Sequence, residues 1–376
     1  MYKFETIYQE IPEETRLSLS KFFIHEFMGE IALEWAELIR AVVKEGHEVV
    51  VFKIYKEEKL IGIAIISIVR KLEPAKYLWK PIAQFLKIFA QFDVGFLEIP
   101  LLNQPGLLTI AEIDEFERGS IIHALRKHIK ALLNLNVLCI KVDRSIKPSA
   151  ISPCFEGMFP LSFYPNTLLT YPYKSFDEYL QSLSNKKRRK CKVEKRTLEK
   201  QGGHIEICDD ISSISSQIYT LYRNTSREIK KRPNYVEMPI TIDETFFSKL
   251  SIFNNLTPRL VVVKVNDIII ADALLLKSGH TLFLKAIGLD YDVSYRTKAY
   301  FNLFYATLDY ASQQNCDQID LGITSYHFKE WLGCELNPAA YVCDIYNPFI
   351  SFLGKPLAYL AERRFGTRQY MSPIQQ

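Results

Sequence analysis

Two stretches of the chain run through the same order of apolar patterns, and that repetition restricts the fold more than any single motif does. In the first, Glu48-Val-Val-Val-Phe-Lys-Ile-Tyr55 and the run 60–68 are strand-sized and joined by Lys56-Glu-Glu-Lys59, which reads as a hairpin. A strand pair or bent strand over 94–108 follows, then a helical period marked by Ile121, Leu125, Ile129 and Leu132, then the strand Val137-Leu-Cys-Ile-Lys-Val142. In the second stretch, His204-Ile-Glu-Ile-Cys208 is a strand, 214–229 a helix, and 244–253 a shorter one. Arg259-Leu-Val-Val-Val-Lys-Val265 and 268–277 then form a hairpin across Asn266-Asp267. Thr281-Leu-Phe-Leu-Lys-Ala-Ile287 is a strand, 298–314 a helix and Cys316-Asp-Gln-Ile-Asp-Leu321 a strand. Strand, helix, strand implies a parallel crossover. The expected fold is α/β with mixed sheets, built as two similar halves. The boundaries fall at 1–170 and 171–345, with a helical tail over 346–376. The chain of 376 residues, 48% hydrophobic, is long enough for two ordinary cores.

Between the halves lies the strongest local charge. Lys186 to Lys200 holds nine basic and two acidic residues, a local charge of +7 in a chain whose net charge is +4. Everything outside this run therefore sums to −3, so the positive field has one main source. Ser175-Phe-Asp-Glu-Tyr179 opens a helix, with Ser175 as N-cap and Glu178 as its capping-box partner, and Gly202-Gly203 ends it, giving a basic helix over 176–201. Leu180, Leu183, Cys191 and Leu198 are too sparse for a continuous apolar stripe, and Lys190/Glu194 and Lys195/Glu199 are spaced for helical ion pairs. Such a helix is either a solvated surface element or a site for phosphates, nucleic acid or an acidic carrier.

Several chemistries lack their signatures. The seven cysteines are an odd set with no C-x-x-C pair, and the seven histidines are scattered, so neither a disulfide framework nor a metal site is indicated. No H-E-x-x-H, P-loop or G-x-S-x-G string occurs. No apolar run approaches the ~20 residues of a spanning helix, and the first residues lack the pattern of a signal peptide. The expectation is a cytoplasmic protein, with peripheral contact at the inner face of the membrane as a further option. That option rests on Lys76-Tyr-Leu-Trp-Lys-Pro-Ile-Ala-Gln-Phe-Leu-Lys-Ile-Phe-Ala90, where Leu78, Ile82, Phe85 and Phe89 share one helical face, and on the apolar stretch 348–360.

Two strings carry a family resemblance. Ser175-Phe-Asp-Glu-Tyr-Leu-Gln-Ser-Leu-Ser-Asn-Lys-Lys-Arg-Arg-Lys190, with the basic helix and Gly202-Gly203 behind it, is one; Ile319-Asp-Leu-Gly-Ile-Thr-Ser-Tyr-His-Phe-Lys-Glu-Trp-Leu-Gly333, containing Tyr-x-x-Lys-x-x-x-Gly, is the other. Together they resemble the second domain of the GNAT-type acyltransferase-like proteins related to the Fem aminoacyl transferases. The resemblance is clearest over 170–335 and implies two tandem GNAT-like domains. It also implies an N-acyltransferase moving an acyl group from acyl-CoA or an acyl carrier protein to a primary amine of a small molecule or cell-envelope precursor. No cofactor is expected to be tightly bound, the thioester being a substrate. A Fem-like transferase using aminoacyl-tRNA, and a non-enzymatic protein that binds anionic surfaces on the same scaffold, are the alternatives.

Candidate residues follow from what such a transfer requires. In the superfamily the donor's phosphates rest where the fourth strand's loop enters a helix, which points to Arg296, Thr297 and Lys298, with Lys186, Arg188 and Arg189 of the basic helix as further donor contacts. That loop lacks the glycine-rich pattern of acetyl-CoA enzymes. An amine attacking a carbonyl needs proton transfer and stabilisation of the oxyanion. Asp320 at the end of a parallel strand and Tyr326 beyond it are suitable types, and Asp272 interrupts an otherwise apolar strand, so these three are the catalytic candidates. Lys329, one turn from Tyr326, together with Lys285 and Tyr295, are candidates for substrate contact.

Overall fold

The computed structural model describes residues 2–7, 28–29, 31–72, 91–143, 155–231, 242–253 and 256–347, with single positions at 11, 16, 19, 21, 23, 240, 351, 356, 359 and 363. The apolar insertion 76–90 and most of the 346–376 tail lie outside the described residues. The chain forms two compact units, one of Met1–Asn166, Asn234–Thr241 and Leu336–Gln376, the other of Thr167–Pro233 and Ile242–Glu335.

In the first unit, strands β1 (Tyr2–Ile7), β2 (His47–Lys56), β3 (Lys59–Leu72) and β4 (Phe92–Ile99) form an antiparallel meander. Helix α1 (Ala32–Val42) lies between β1 and β2 in sequence, and short β5 (Gln104–Pro105) and β6 (Leu107–Thr109) follow β4. The β2–β3 turn places Glu57 and Glu58 both at positive φ, 50° and 69°, the type I′ geometry whose twist matches a hairpin. Helix α2 (Glu115–Leu132) is capped by Asp114, whose side chain accepts from Glu117 N–H, and leads into β7 (Val137–Asp143), parallel to β4. Ile121, Leu125 and Ile129 of α2 are buried as their period predicts, but Leu132 is 44% exposed; Leu133 takes the inward position at the helix end. Strand β14 (Glu335–Ile345) pairs with β7, so this segment, second-half by sequence order, completes the first unit's sheet.

The second unit repeats the order. The last residues of β8 (Phe159–Thr170) lead to helices α3 (Phe176–Ser182) and α4 (Asn185–Lys200), then β9 (Gly203–Cys208), α5 (Ser215–Lys230), α6 (Glu244–Leu250), β10 (Arg259–Val265), β11 (Ile268–Ser278) and β12 (Thr281–Leu289). After β12 come α7 (Tyr291–Thr297), α8 (Ala299–Gln313), β13 (Gln318–Asp320) and α9 (Tyr326–Leu332). Strands β9 to β12 are an antiparallel meander, and β13 is parallel to β12 as β7 is to β4. The β10–β11 turn again uses two positive-φ residues, Asn266 and Asp267. On one face of this sheet Val261, Val263, Ala271, Ala273, Leu275, Leu282 and Ile319 pack with Leu303, Phe304 and Leu308 of α8. The opposite face of β11 and β12 lies against α5. The duplicated mixed α/β architecture expected from element order is thus present in both units.

The basic segment departs from expectation. The chain breaks at Leu183, with extended backbone, and Ser184 caps a new helix, so the single helix 176–201 is two. Arg188 holds the break: its guanidinium donates to the carbonyls of Leu180, Gln181 and Leu183 at 2.9–3.1 Å. Cys191, Glu194 and Leu198 form a buried stripe on α4, completed by a carboxylate the sequence reading had placed on the surface. Glu194 accepts from the Tyr305 hydroxyl of α8, and its backbone carbonyl accepts from Asn302 Nδ2 at 3.1 Å.

Candidate active site

The parallel pairing of β12 with β13 covers only three rungs, ending at Phe283 opposite Asp320, while β12 runs on to Leu289. The two strands part there, at the carboxyl end of a parallel pair, where ligands bind in α/β sheets. Lys285 sits on β12 just past the last rung and donates to Asp320 Oδ1 at 3.2 Å. Asp320 is fully buried and the Lys285 side chain is 11% exposed, so the lysine is the member of the pair that borders solvent. Asp320 Oδ1 also accepts from Gly322 N–H at 2.6 Å, which fixes the turn leaving β13.

That turn is held from three sides. The Gly322 carbonyl accepts from Thr167 N–H at 3.1 Å, from Thr167 Oγ1 at 2.7 Å and from Lys329 Nζ at 3.1 Å, and Lys329 also donates to the Ile323 carbonyl at 3.0 Å. Thr324 and Ser325 follow with φ of 71° and 53°, two consecutive non-glycine residues in the left-handed region. Such conformations cost energy and gather at functional sites. Gly333 closes α9 with φ 102°, a cap that glycine meets without strain. Lys329 is only 2% exposed, and burial pulls its ammonium down to about 7, with nearby Asp320 opposing the shift. It therefore clamps the turn at the level of Asp320, its ammonium bonded to the Gly322 and Ile323 carbonyls, where the sequence reading had it as a substrate contact. Tyr326 is half-buried on the first turn of α9.

Asp272 lies on the same sheet face as Lys285 and Asp320, beneath α5. The register runs Leu274 opposite Lys285 and Asp272 opposite Gly288, with a bulge between them where Ala286 takes φ 47°. Bulges of this kind re-aim side chains beside active sites. Asp272 is fully buried, neither carboxyl oxygen has a hydrogen-bond partner among the described residues, and desolvation holds its pKa well above the ordinary range. Gly288 makes room for it: a Cβ there would lie 2.2 Å from Asp272 Oδ2 and 2.8 Å from the Tyr222 nitrogen of α5.

The expected donor loop is built otherwise. Asp290 caps α7 by accepting from the Asp292 and Val293 N–H groups at 3.1 and 3.2 Å, so the loop leaving β12 holds a further short helix before the one expected from 298. An aspartate immediately before a helix is a legible N-cap, and it was the signal available in the sequence. Arg296 and Thr297 lie in the last turn of α7 and Lys298 is the N-cap residue of α8, so the three lead directly into the N-terminus of the helix expected from 298. Arg296 Nε donates to the Asp292 carbonyl and Thr297 Oγ1 to the Val293 carbonyl. Lys298, at φ 60°, joins α7 to α8 and sets its ammonium 4.5 Å over the ring of Tyr295, which is 78% exposed on α7. None of these four residues hydrogen-bonds to the Asp320–Lys285 pair.

The basic helix divides into two sets. Lys187 donates to the Trp331 carbonyl, Lys190 lies 4.8 Å over the Trp331 ring, Lys195 lies 5.1 Å over Phe176, and Arg188 holds the break described above. Lys186, Arg189, Lys192, Arg196 and Lys200 are exposed and have no partner among the described residues. These five extend over about 21 Å of helix.

Residues 166–332 match the family model FemAB_like, described as "Peptidogalycan biosysnthesis/recognition". Among solved structures, FemX is similar over 95% of this chain and 99% of its own, with a TM-score of 0.57 at 13% identity. The fold is GNAT-like and related to that of the Fem transferases. L-PGS from Bacillus licheniformis matches with a TM-score of 0.51 at 12% identity, covering 95% of this chain and 100% of that one. The C-terminal domain of a putative lysylphosphatidylglycerol synthetase from Agrobacterium fabrum matches with 0.51 at 10% identity, covering 88% and 96%. No curated protein matches the sequence. Among the described residues, no helix is long and apolar enough to cross a membrane.

Proposed function

We propose that the protein is a transferase that forms an amide, moving an aminoacyl group from aminoacyl-tRNA to a primary amine of a cell-envelope precursor. The observation that carries this reading is the coincidence of two features of the second unit. One is the buried Asp320–Lys285–Lys329 cluster where β12 and β13 part. The other is a row of five unpartnered cations on α4, suited to a ligand with a long phosphate backbone. The FemAB_like match over the same unit, and the Fem and lysylphosphatidylglycerol-related neighbours, favour this donor. An acyl-CoA or acyl carrier donor is the second reading: it uses the same cluster, with the N-terminus of α8 behind Lys298, which carries no side-chain cap, as the place for its phosphates.

In the proposed step the acceptor amine attacks the carbonyl carbon of the donor ester. A carbon–nitrogen bond forms and the carbonyl electrons move to oxygen, beside the Lys285 ammonium that Asp320 holds in place. Collapse breaks the ester bond, and the proton lost by the amine goes to the leaving hydroxyl oxygen. Lys329 acts through the turn it clamps and is a positioning residue. Native mass spectrometry against bulk tRNA, acyl-CoA species and acyl carrier protein tests the donor. Retention of tRNA, lost when the five α4 cations are neutralised, supports the reading; selective retention of an acyl thioester moves it to the second, and retention of neither points to the non-enzymatic scaffold.

A further inference from the structure

Away from this site, the first unit carries a pair of thiols that sequence spacing does not join. Cys139 on β7 and Cys343 on β14 are 204 residues apart, yet they are directly opposed in register, with Sγ atoms 3.5 Å apart. Directly opposed residues of an antiparallel pair have Cα atoms about 4.5–5.5 Å apart, inside the roughly 4.4–6.8 Å that a disulfide spans. Both side chains share a small apolar cluster with Val94 and Tyr341. The next rung on the same face pairs Tyr341 with Lys141, whose ammonium lies over the Tyr341 ring while Tyr341 donates to Glu98. The other described cysteines, Cys191, Cys208, Cys316 and Cys334, show no thiol partner.

We propose that Cys139 and Cys343 form a redox modification site that closes to a cross-strand disulfide with a small-molecule disulfide as oxidant. One cysteine, as thiolate, attacks a sulfur of the oxidant, forming a mixed disulfide and releasing one thiol. The second cysteine then attacks the protein sulfur of that mixed disulfide and expels the other thiol. The net change is two protein thiols oxidised and one small disulfide reduced to two thiols. The product ties β14 to β7 beside the Glu98–Tyr341–Lys141 network and closes a loop of about 200 residues, which restricts the unfolded chain more than the folded one. The pair is slow to react in the native state, because the thiols hydrogen-bond to each other and burial adds to the rise of the Cys139 thiol above its usual range.

The test uses the full chain carrying Cys208→Ser, which removes the half-exposed thiol. The protein is incubated with graded ratios of oxidised to reduced glutathione, both natively and during refolding from urea, then denatured, alkylated and mapped by peptide mass. The expected result is a reversible cross-link between the peptides holding Cys139 and Cys343, two hydrogens lighter than the reduced pair, with a higher melting temperature that Cys343→Ser abolishes. Two alkylatable thiols at 139 and 343 after oxidative refolding, or glutathione adducts in place of the cross-link, would overturn the proposal. The readout is independent of transfer activity, so its failure and that of the proposed function are separable.

Discussion

Replacing Lys186, Arg189, Lys192, Arg196 and Lys200 together by glutamine removes five exposed charges and leaves the buried contacts of Cys191, Glu194 and Leu198 in place. Glutamine has nearly the helix propensity of lysine and arginine, so α4 should persist and the melting midpoint should hold. Each duplex phosphate neutralised contributes about −0.9 to the slope of log K against log salt, so five give about −4.5. Between 50 and 200 mM salt, a fourfold change, wild-type affinity for tRNA should fall about 500-fold, and this share of the salt dependence should vanish in the variant. Fluorescence anisotropy with labelled tRNA over a salt series measures both slopes. Arg188→Gln is the contrasting control: it removes three bonds to carbonyls at the α3–α4 break and should lower stability by about 1–3 kcal/mol while leaving the salt slope within one unit of wild type. A quintuple variant with the wild-type slope would refute the assignment of α4 as a phosphate track.

Three further outcomes follow from the buried groups. Gly288→Ala should destabilise the second unit by about 1–3 kcal/mol, because the new Cβ meets Asp272 Oδ2, and Asp272→Ala should recover only part of that loss because the Tyr222 nitrogen remains; urea melts of the double-mutant cycle measure this. Burial raises the Asp272 pKa above its unfolded value, so wild-type stability relative to Asp272→Leu should fall as pH rises from about 4, by up to about 1.4 kcal/mol per pH unit. Lys329 has the opposite sense: its folded pKa of about 7 lies below the unfolded value, so the unfolded chain binds more protons above pH 7. Wild-type stability relative to Lys329→Met should therefore rise between pH 7 and 8.5, by up to about 1.4 kcal/mol per unit, and a flat difference in chemical melts would contradict the buried placement.

The sequence revealed what local rules determine. Positive-φ turns at Glu57-Glu58 and Asn266-Asp267, the apolar strands around them and the repeated crossover were all readable, because each depends on neighbouring residues. Asp320 and Lys329 were singled out from a short motif; Asp320 ends β13, and Lys329 reaches from α9 to the turn that follows it. What could not be read depends on distant residues meeting. Lys285 was a candidate for substrate contact, but its pairing with Asp320, 35 residues on, was not legible, and Glu194 is buried because Tyr305, 111 residues on, accepts it as a partner. Cys139 and Cys343 meet through pairing across most of the chain. The break at Leu183 was legible in part, since Ser184 is a good N-cap, but the continuous polar character of the segment masked it.

The most direct measurement is single-turnover transfer with the full chain, using a pool of radiolabelled aminoacyl-tRNA and an amine-bearing cell-envelope precursor, and scoring base-resistant amide product. Wild type should form it, Lys285→Met and Asp320→Asn should slow the chemical step at least about 100-fold with tRNA affinity unchanged, as expected for loss of an oxyanion-stabilising group. Transfer by both variants at the wild-type rate would show that the reaction does not run where β12 and β13 part.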